Sequence, residues 1–140
     1  MPYRVSFWLI AGLMVLFVTG CGTSAQAGAP EIALETSLLE LGDMPNGEIA
    51  ERQVAVRNDG STPLVVDTVT TTCGCTTASL TPMTIPPGES GVLTIAFDSG
   101  AHGPDLRGAI MRRVILMSND PAQPEALVDL TATITEPVGP

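Results

Sequence analysis

From Glu31 onward the apolar positions fall in short stretches separated by Gly, Pro, Asn and Asp, and no window sustains a helical period of 3.6 residues. Several stretches alternate strictly. Between Glu51 and Asn58, Val54 and Val56 share one face while Gln53, Ala55 and Arg57 share the other, the period of two that a half-buried strand requires. Leu93, Ile95 and Phe97 alternate in the same way with Thr94, Ala96 and Asp98, and Val128, Leu130, Ala132 and Ile134 mark a last strand on one parity. Leu64 to Val69 predicts a further strand. Ile110 to Met117 is nearly continuous apolar sequence broken by Arg112-Arg113, which predicts a central strand with Val114 and Leu116 in the core and Met111 and Met117 also buried. Ile32 to Glu35 followed by Leu38 to Leu41 predicts a split edge strand, ended by Gly42 and the Pro45-Asn46-Gly47 turn. Further turns are expected at Asn58-Asp59-Gly60, Pro86-Pro87-Gly88-Glu89 and Asn119-Asp120-Pro121.

About seven short strands at this spacing predict an all-β, immunoglobulin-like β-sandwich over residues 31–135, with a disordered tail at 136–140. The first twenty residues follow a different rule. Arg4 precedes an apolar run from Val5 to Val18, too short for the roughly 20 residues of a membrane-crossing helix, so residues 1–20 read as a cleaved signal peptide. The run closes with Val18-Thr19-Gly20-Cys21, which resembles the lipobox of bacterial lipoproteins, Val18 standing where leucine is usual. Cys21 is then the lipidated first residue, and residues 21–30, small and polar, are a flexible tether. The expected location is the extracytoplasmic face of a membrane, held there by lipid.

Charge narrows the partners. The chain carries six basic and fifteen acidic residues, a net −9, which becomes −10 once Arg4 leaves with the signal peptide. Nucleic acid and anionic membrane surfaces are therefore not expected as partners. Lysine is absent and no basic patch exists to cradle phosphate. The single His102 has no serine elbow beside it and the acidic residues are dispersed, which argues against a hydrolase. No cofactor is implied. Asn58-Asp59 and Asn119-Asp120 could hold calcium, but such pairs more often bond their own turn backbone.

One constellation can carry chemistry, Cys73-Gly74-Cys75. On an extended strand, thiols at i and i+2 point to the same side. With Cys21 committed to lipid, the two remaining cysteines are each other's only cysteine partners. Three readings stand: a local structural disulfide or packed thiols; a labile thiol-redox pair; and a soft-metal site, Cu(I) above all, completed by Met83, Met111, Met117 or His102. The flanking threonines, Thr70 to Thr72 and Thr76-Thr77, bring hydroxyls but no cation to favour a thiolate. The methionines read as core and His102, in a Gly-Pro loop that no strand pattern explains, as exposed.

Leu41-Gly42, Val56-Arg57-Asn58-Asp59-Gly60, Pro63-Leu64-Val65-Val66, Thr72-Cys73-Gly74-Cys75-Thr76, Ile85-Pro86-Pro87-Gly88-Glu89, Leu93 to Asp98 and Ser118-Asn119-Asp120-Pro121, taken in order, resemble the bacterial domain-of-unknown-function family numbered fifteen seventy-three. The resemblance implies an immunoglobulin-like or PapD-like sandwich and transfers no activity to any residue. The expected role is a binding or scaffold module for another envelope protein, not an enzyme, with thiol-redox or Cu(I) handling at Cys73 and Cys75 as the alternative.

Overall fold

The structure, a computed structural model, describes residues 28–137; the expected signal peptide, Cys21, residues 22–27 of the tether and residues 138–140 of the expected tail lie outside the described residues. Among the described residues nine strands form two sheets: β1 (Ile32–Leu34), β2 (Leu38–Pro45), β3 (Ile49–Asn58), β4 (Leu64–Thr71), β5 (Thr76–Thr81), β6 (Thr84–Ile85), β7 (Ser90–Asp98), β8 (Gly108–Ser118) and β9 (Glu125–Thr135). One sheet runs β1-β3-β7-β5 and the other β2-β9-β8-β4-β6. The expected all-β sandwich is present, with more strands than the pattern suggested. β5 is the strand that apolar periodicity does not mark, because its Thr, Ser and Ala positions bracket a single large apolar side chain, Leu80.

The first strand is split, as expected, and the two pieces serve different sheets. β1 pairs antiparallel with β3, while β2 pairs parallel with β9. Gly42 does not end β2. It adopts φ +71° at a register shift between Glu40 and Asp43, and the strand resumes to Pro45. A glycine in the left-handed region absorbs one extra residue as a bulge without a Cβ clash. Gly88, at φ +77°, closes the Pro86–Glu89 turn, where Glu89 N–H donates to Pro86 O at 3.1 Å. Proline at the second position and a positive-φ glycine at the third define a type II turn.

The core lies between the sheets and is almost wholly aliphatic. Val54 and Val56 of β3, Leu93, Ile95 and Phe97 of β7, Val114 and Leu116 of β8 and Val128, Leu130 and Ile134 of β9 are buried, as the alternation requires. Met111 and Met117, expected inside, are instead 59% and 39% exposed. They share parity with Arg113 on the outer face of β8. Around β8, whose neighbours β9 and β4 are both antiparallel to it, the sheet has one dry and one wet face, so an almost continuous apolar run still alternates in burial.

One buried side chain ties strand ends together. Asp120, buried after β8, accepts hydrogen bonds from the amides of Ile32 at 2.8 Å, Ala122 at 2.8 Å and Gln123 at 3.1 Å. Burial by itself pushes its carboxyl up, but these three donors outweigh it and hold the group below the ordinary aspartate range. Its contribution to stability is thus complete above about pH 4, the unfolded value, and is lost as pH falls through the lower folded value. In acid-unfolding titrations, the stability gap between the native chain and Asp120→Asn is expected to shrink below about pH 4; a gap that stays constant down to pH 2 would remove the carboxylate from this role.

Candidate functional site around Cys73 and Cys75

β4 ends at Thr71, whose Oγ1 lies 3.0 Å from Cys73 O and 2.9 Å from Thr76 O, bridging both ends of the following turn. The turn is also fastened to β8. Thr72 N–H donates to Arg113 O at 3.0 Å, and Arg113 N–H donates to Thr72 Oγ1 at 3.1 Å. On the other side Asp98 N–H donates to Cys75 O at 2.8 Å, which joins the turn to β7. Cys73-Gly74-Cys75 is therefore a turn between the two sheets and not the extended strand expected from the spacing. The sulfurs meet nonetheless: Cys73 and Cys75 form a disulfide with their Cα atoms 5.2 Å apart. Cys75 is buried, Cys73 half-buried and Gly74 exposed. Thr76 Oγ1 lies 3.4 Å from Cys73 Sγ and 3.8 Å from Cys75 Sγ.

Two residues distant in sequence complete the site. Arg112 of β8 donates from Nε to Cys75 Sγ at 3.2 Å. The cation missing from the flanking threonines thus arrives from another strand. Consecutive arginines on a strand point to opposite faces, so Arg113 turns outward and pairs with Asp129 at 2.6 and 3.0 Å. That pairing holds the Asp129 carboxyl below its ordinary value. The visible sequence signal for Arg112 was an arginine pair interrupting an apolar strand; its target was not readable.

The second is His102. The loop between β7 and β8 is pinned at several points: Ser99 Oγ lies 2.8 Å from both Pro45 O and Glu48 O, and Asn46 Nδ2 donates to Gly103 O at 3.0 Å and Leu106 O at 3.1 Å. So held, it presents the exposed His102 to the disulfide, with imidazole nitrogen and both sulfurs within 4.8 Å of one another. Of the other candidate ligands, Met83 sits at the far end of β4, where its carbonyl accepts from Val66 N–H at 2.8 Å, and Met111 and Met117 lie on the outer face of β8. None joins the sulfurs. Asn58 and Asp120 bond their own turns, Gly60 N–H to Asn58 Oδ1 at 3.0 Å and Ala122 N–H to Asp120 Oδ1 at 2.8 Å.

The sequence profile of the family described as "Protein of unknown function (DUF1573)" matches residues 32–134, nearly the whole sandwich. The chain belongs to the DUF1573 family. No curated protein matches it. Among solved structures, this DUF1573 chain is similar to a protein of unknown function from Porphyromonas gingivalis W83, at 27% identity and TM-score 0.65, covering 74% of this chain and 46% of that one. It thus spans about half the length of that relative. It is also similar to the ASH/PapD-like domain of human CEP192, at 12% identity and TM-score 0.59, covering 79% and 89% of the two chains. The YadV chaperone is a third, at 16% identity, TM-score 0.52 and coverage of 77% and 52%. The last two likenesses establish the PapD-like fold alone.

Proposed function

We propose that this DUF1573 chain is a lipid-anchored, extracytoplasmic binding module that takes up an extended segment of another envelope protein along the open edge of β5. The observation that carries the reading is the contrast between β5 and the other sheet edges. β1 is three residues long and its outward Ile32 amide is taken by Asp120. β2 carries Glu40, the Gly42 bulge, Asp43 and Pro45, and β6 is two residues between Pro82 and Pro86. These are the devices by which sheet edges are guarded. β5, Thr76–Thr81, has no charge, proline or bulge. The Asp98-to-Cys75 bond sets the ladder parity, so Thr77 and Ser79 pair with β7 while Ala78 and Leu80 turn N–H and C=O away from it. Strand addition satisfies such groups and draws affinity from main-chain hydrogen bonds.

Anchoring rests on the lipobox-like Val18 to Cys21 and the short apolar run before it. No helix among the described residues is long and apolar enough to cross a membrane. Cys21→Ser is expected to move the protein from the membrane to the soluble fraction.

The edge reading is tested by Ala78→Pro. Because the Ala78 amide is not used by the β5–β7 ladder, proline fits there, and Tm is expected to stay within about 3 °C of the native value. A photo-crosslinker at the exposed Ser79, in native membranes, is expected to capture a discrete partner in the native background and to lose it in Ala78→Pro. The same adducts from both backgrounds, or none from either, would sink strand addition.

A further inference from the structure

We propose that the Cys73–Cys75 disulfide is the closed form of a redox-gated metal site: on reduction, the two thiolates and the His102 imidazole hold one Cu(I) ion in three-coordinate geometry, and reoxidation expels it. The site lies beside the β5 edge but does not depend on strand addition.

Three donors converge here from segments far apart in sequence, the β4–β5 turn and the pinned β7–β8 loop, within 4.8 Å of one another. Metal–sulfur and metal–nitrogen bonds of about 2.0–2.3 Å place donors of one shell roughly 3.5–4 Å apart, so closing around an ion needs only a small swing of an exposed imidazole and separation of the sulfurs. The backbone on both sides of the turn is fastened through Thr71, Thr72 and Asp98, so reduction lets the two sulfurs part while the turn that carries them stays in place. Entry is open through exposed Gly74 and His102.

Donor type and charge select the ion. Two thiolates and an imidazole are soft to borderline ligands, matched to Cu(I). Zinc takes four ligands, and among the described residues no carboxylate joins the group. Arg112 at 3.2 Å from Cys75 Sγ settles the charge. Two thiolates with Cu(I) carry −1, which the guanidinium cancels; a divalent ion leaves a net positive charge beside the buried Cys75, which is costly.

The reducing partner is a dithiol. It gives two electrons to the disulfide and becomes a disulfide itself. Two protons are released as Cu(I) binds both sulfurs as thiolates. In the reverse direction, a disulfide oxidant takes two electrons from the sulfurs and two protons from water to become a dithiol, the Cys73–Cys75 bond re-forms, and Cu(I) departs without changing its oxidation state.

The test is an anaerobic titration of full-length Cys21→Ser chain in detergent, in which Cys73 and Cys75 are the remaining cysteines, with Cu(I) competed against a chromogenic chelator. The reduced protein is expected to take one equivalent, and the disulfide form none above the chelator background. His102→Ala, a change in an exposed loop, is expected to weaken binding by about tenfold or more. X-ray absorption at the copper edge is expected to show two sulfurs and one nitrogen. Equal binding by the disulfide form, unchanged affinity in His102→Ala, or Zn(II) held as tightly as Cu(I) would each overturn the proposal.

Discussion

Replacing Phe97 with alanine is expected to cost about 3–5 kcal/mol, lowering Tm by roughly 10–20 °C for a domain of this size. The magnitude follows from position. Phe97 is the sole aromatic residue after the first twenty, and it is completely buried. Its cross-strand neighbours are Ala50 on β3 and Thr76 on β5, both small, so no flanking side chain is large enough to collapse into the space the ring leaves. An aliphatic core interdigitates closely, and a void of this size forfeits both transfer free energy and dispersion contacts. Against a typical total of about 5–15 kcal/mol, such a loss is a large fraction. Phe97→Leu, which refills most of the volume, is expected to lose much less, under about 2 kcal/mol. Chemical denaturation of the three proteins gives the comparison, and an alanine variant within 1 kcal/mol of native would show that the ring is not what fills this end of the sandwich. Because Thr76 both flanks the ring and touches the disulfide, the alanine variant should also loosen the Cys73-Cys75 turn, read as faster reduction by a fixed concentration of dithiothreitol.

Asn58→Ala is expected to cost about 2–4 kcal/mol, by a different mechanism. The side chain is fully buried at the end of β3 and uses both ends of its amide. Nδ2 donates to Thr62 O at 2.8 Å and Ile85 O at 2.9 Å, while Oδ1 accepts from Gly60 N–H at 3.0 Å and Glu31 N–H at 3.3 Å. One residue thereby joins the start of β1, the turn after β3 and the end of β6. Alanine leaves the Ile85 carbonyl and the Gly60 amide without partners in places from which water is largely excluded, and such groups cost their full desolvation. Amide hydrogen exchange provides a local readout: Gly60 and Glu31 are expected to lose protection more than the β7 core does. Uniform loss across the sandwich would instead mean that Asn58 acts only through global stability.

The regular parts of the fold were legible because burial imposes a period. Val54/Val56, Leu93/Ile95/Phe97 and Val128 to Ile134 alternate since one face of each strand is dry, and chain order alone records that. The turns were legible for a local reason too, as with Gly88, where a positive φ favours glycine. β5 was not legible, since small hydroxylated residues on an edge are chosen neither for a deep core nor for a tight turn. Met111 and Met117 lie outside despite their apolar run, because Val114 and Leu116 fill the dry face of β8 and positions of the opposite parity face water.

By itself the sequence determined an all-β sandwich with an aliphatic core, a Cys-Gly-Cys motif as the place where chemistry could sit, and a net charge of −9. All three follow from local residue identity and short-range spacing. Only the tertiary structure decided what surrounds the sulfurs: Arg112 arrives from a strand 37 residues beyond Cys75, and His102 from a loop held by Asn46 and Ser99. It also decided which sheet edge stays open, because an edge is defined by the strand that is missing beside it. Both depend on how strands distant in sequence come to lie side by side, and no local pattern carries that information.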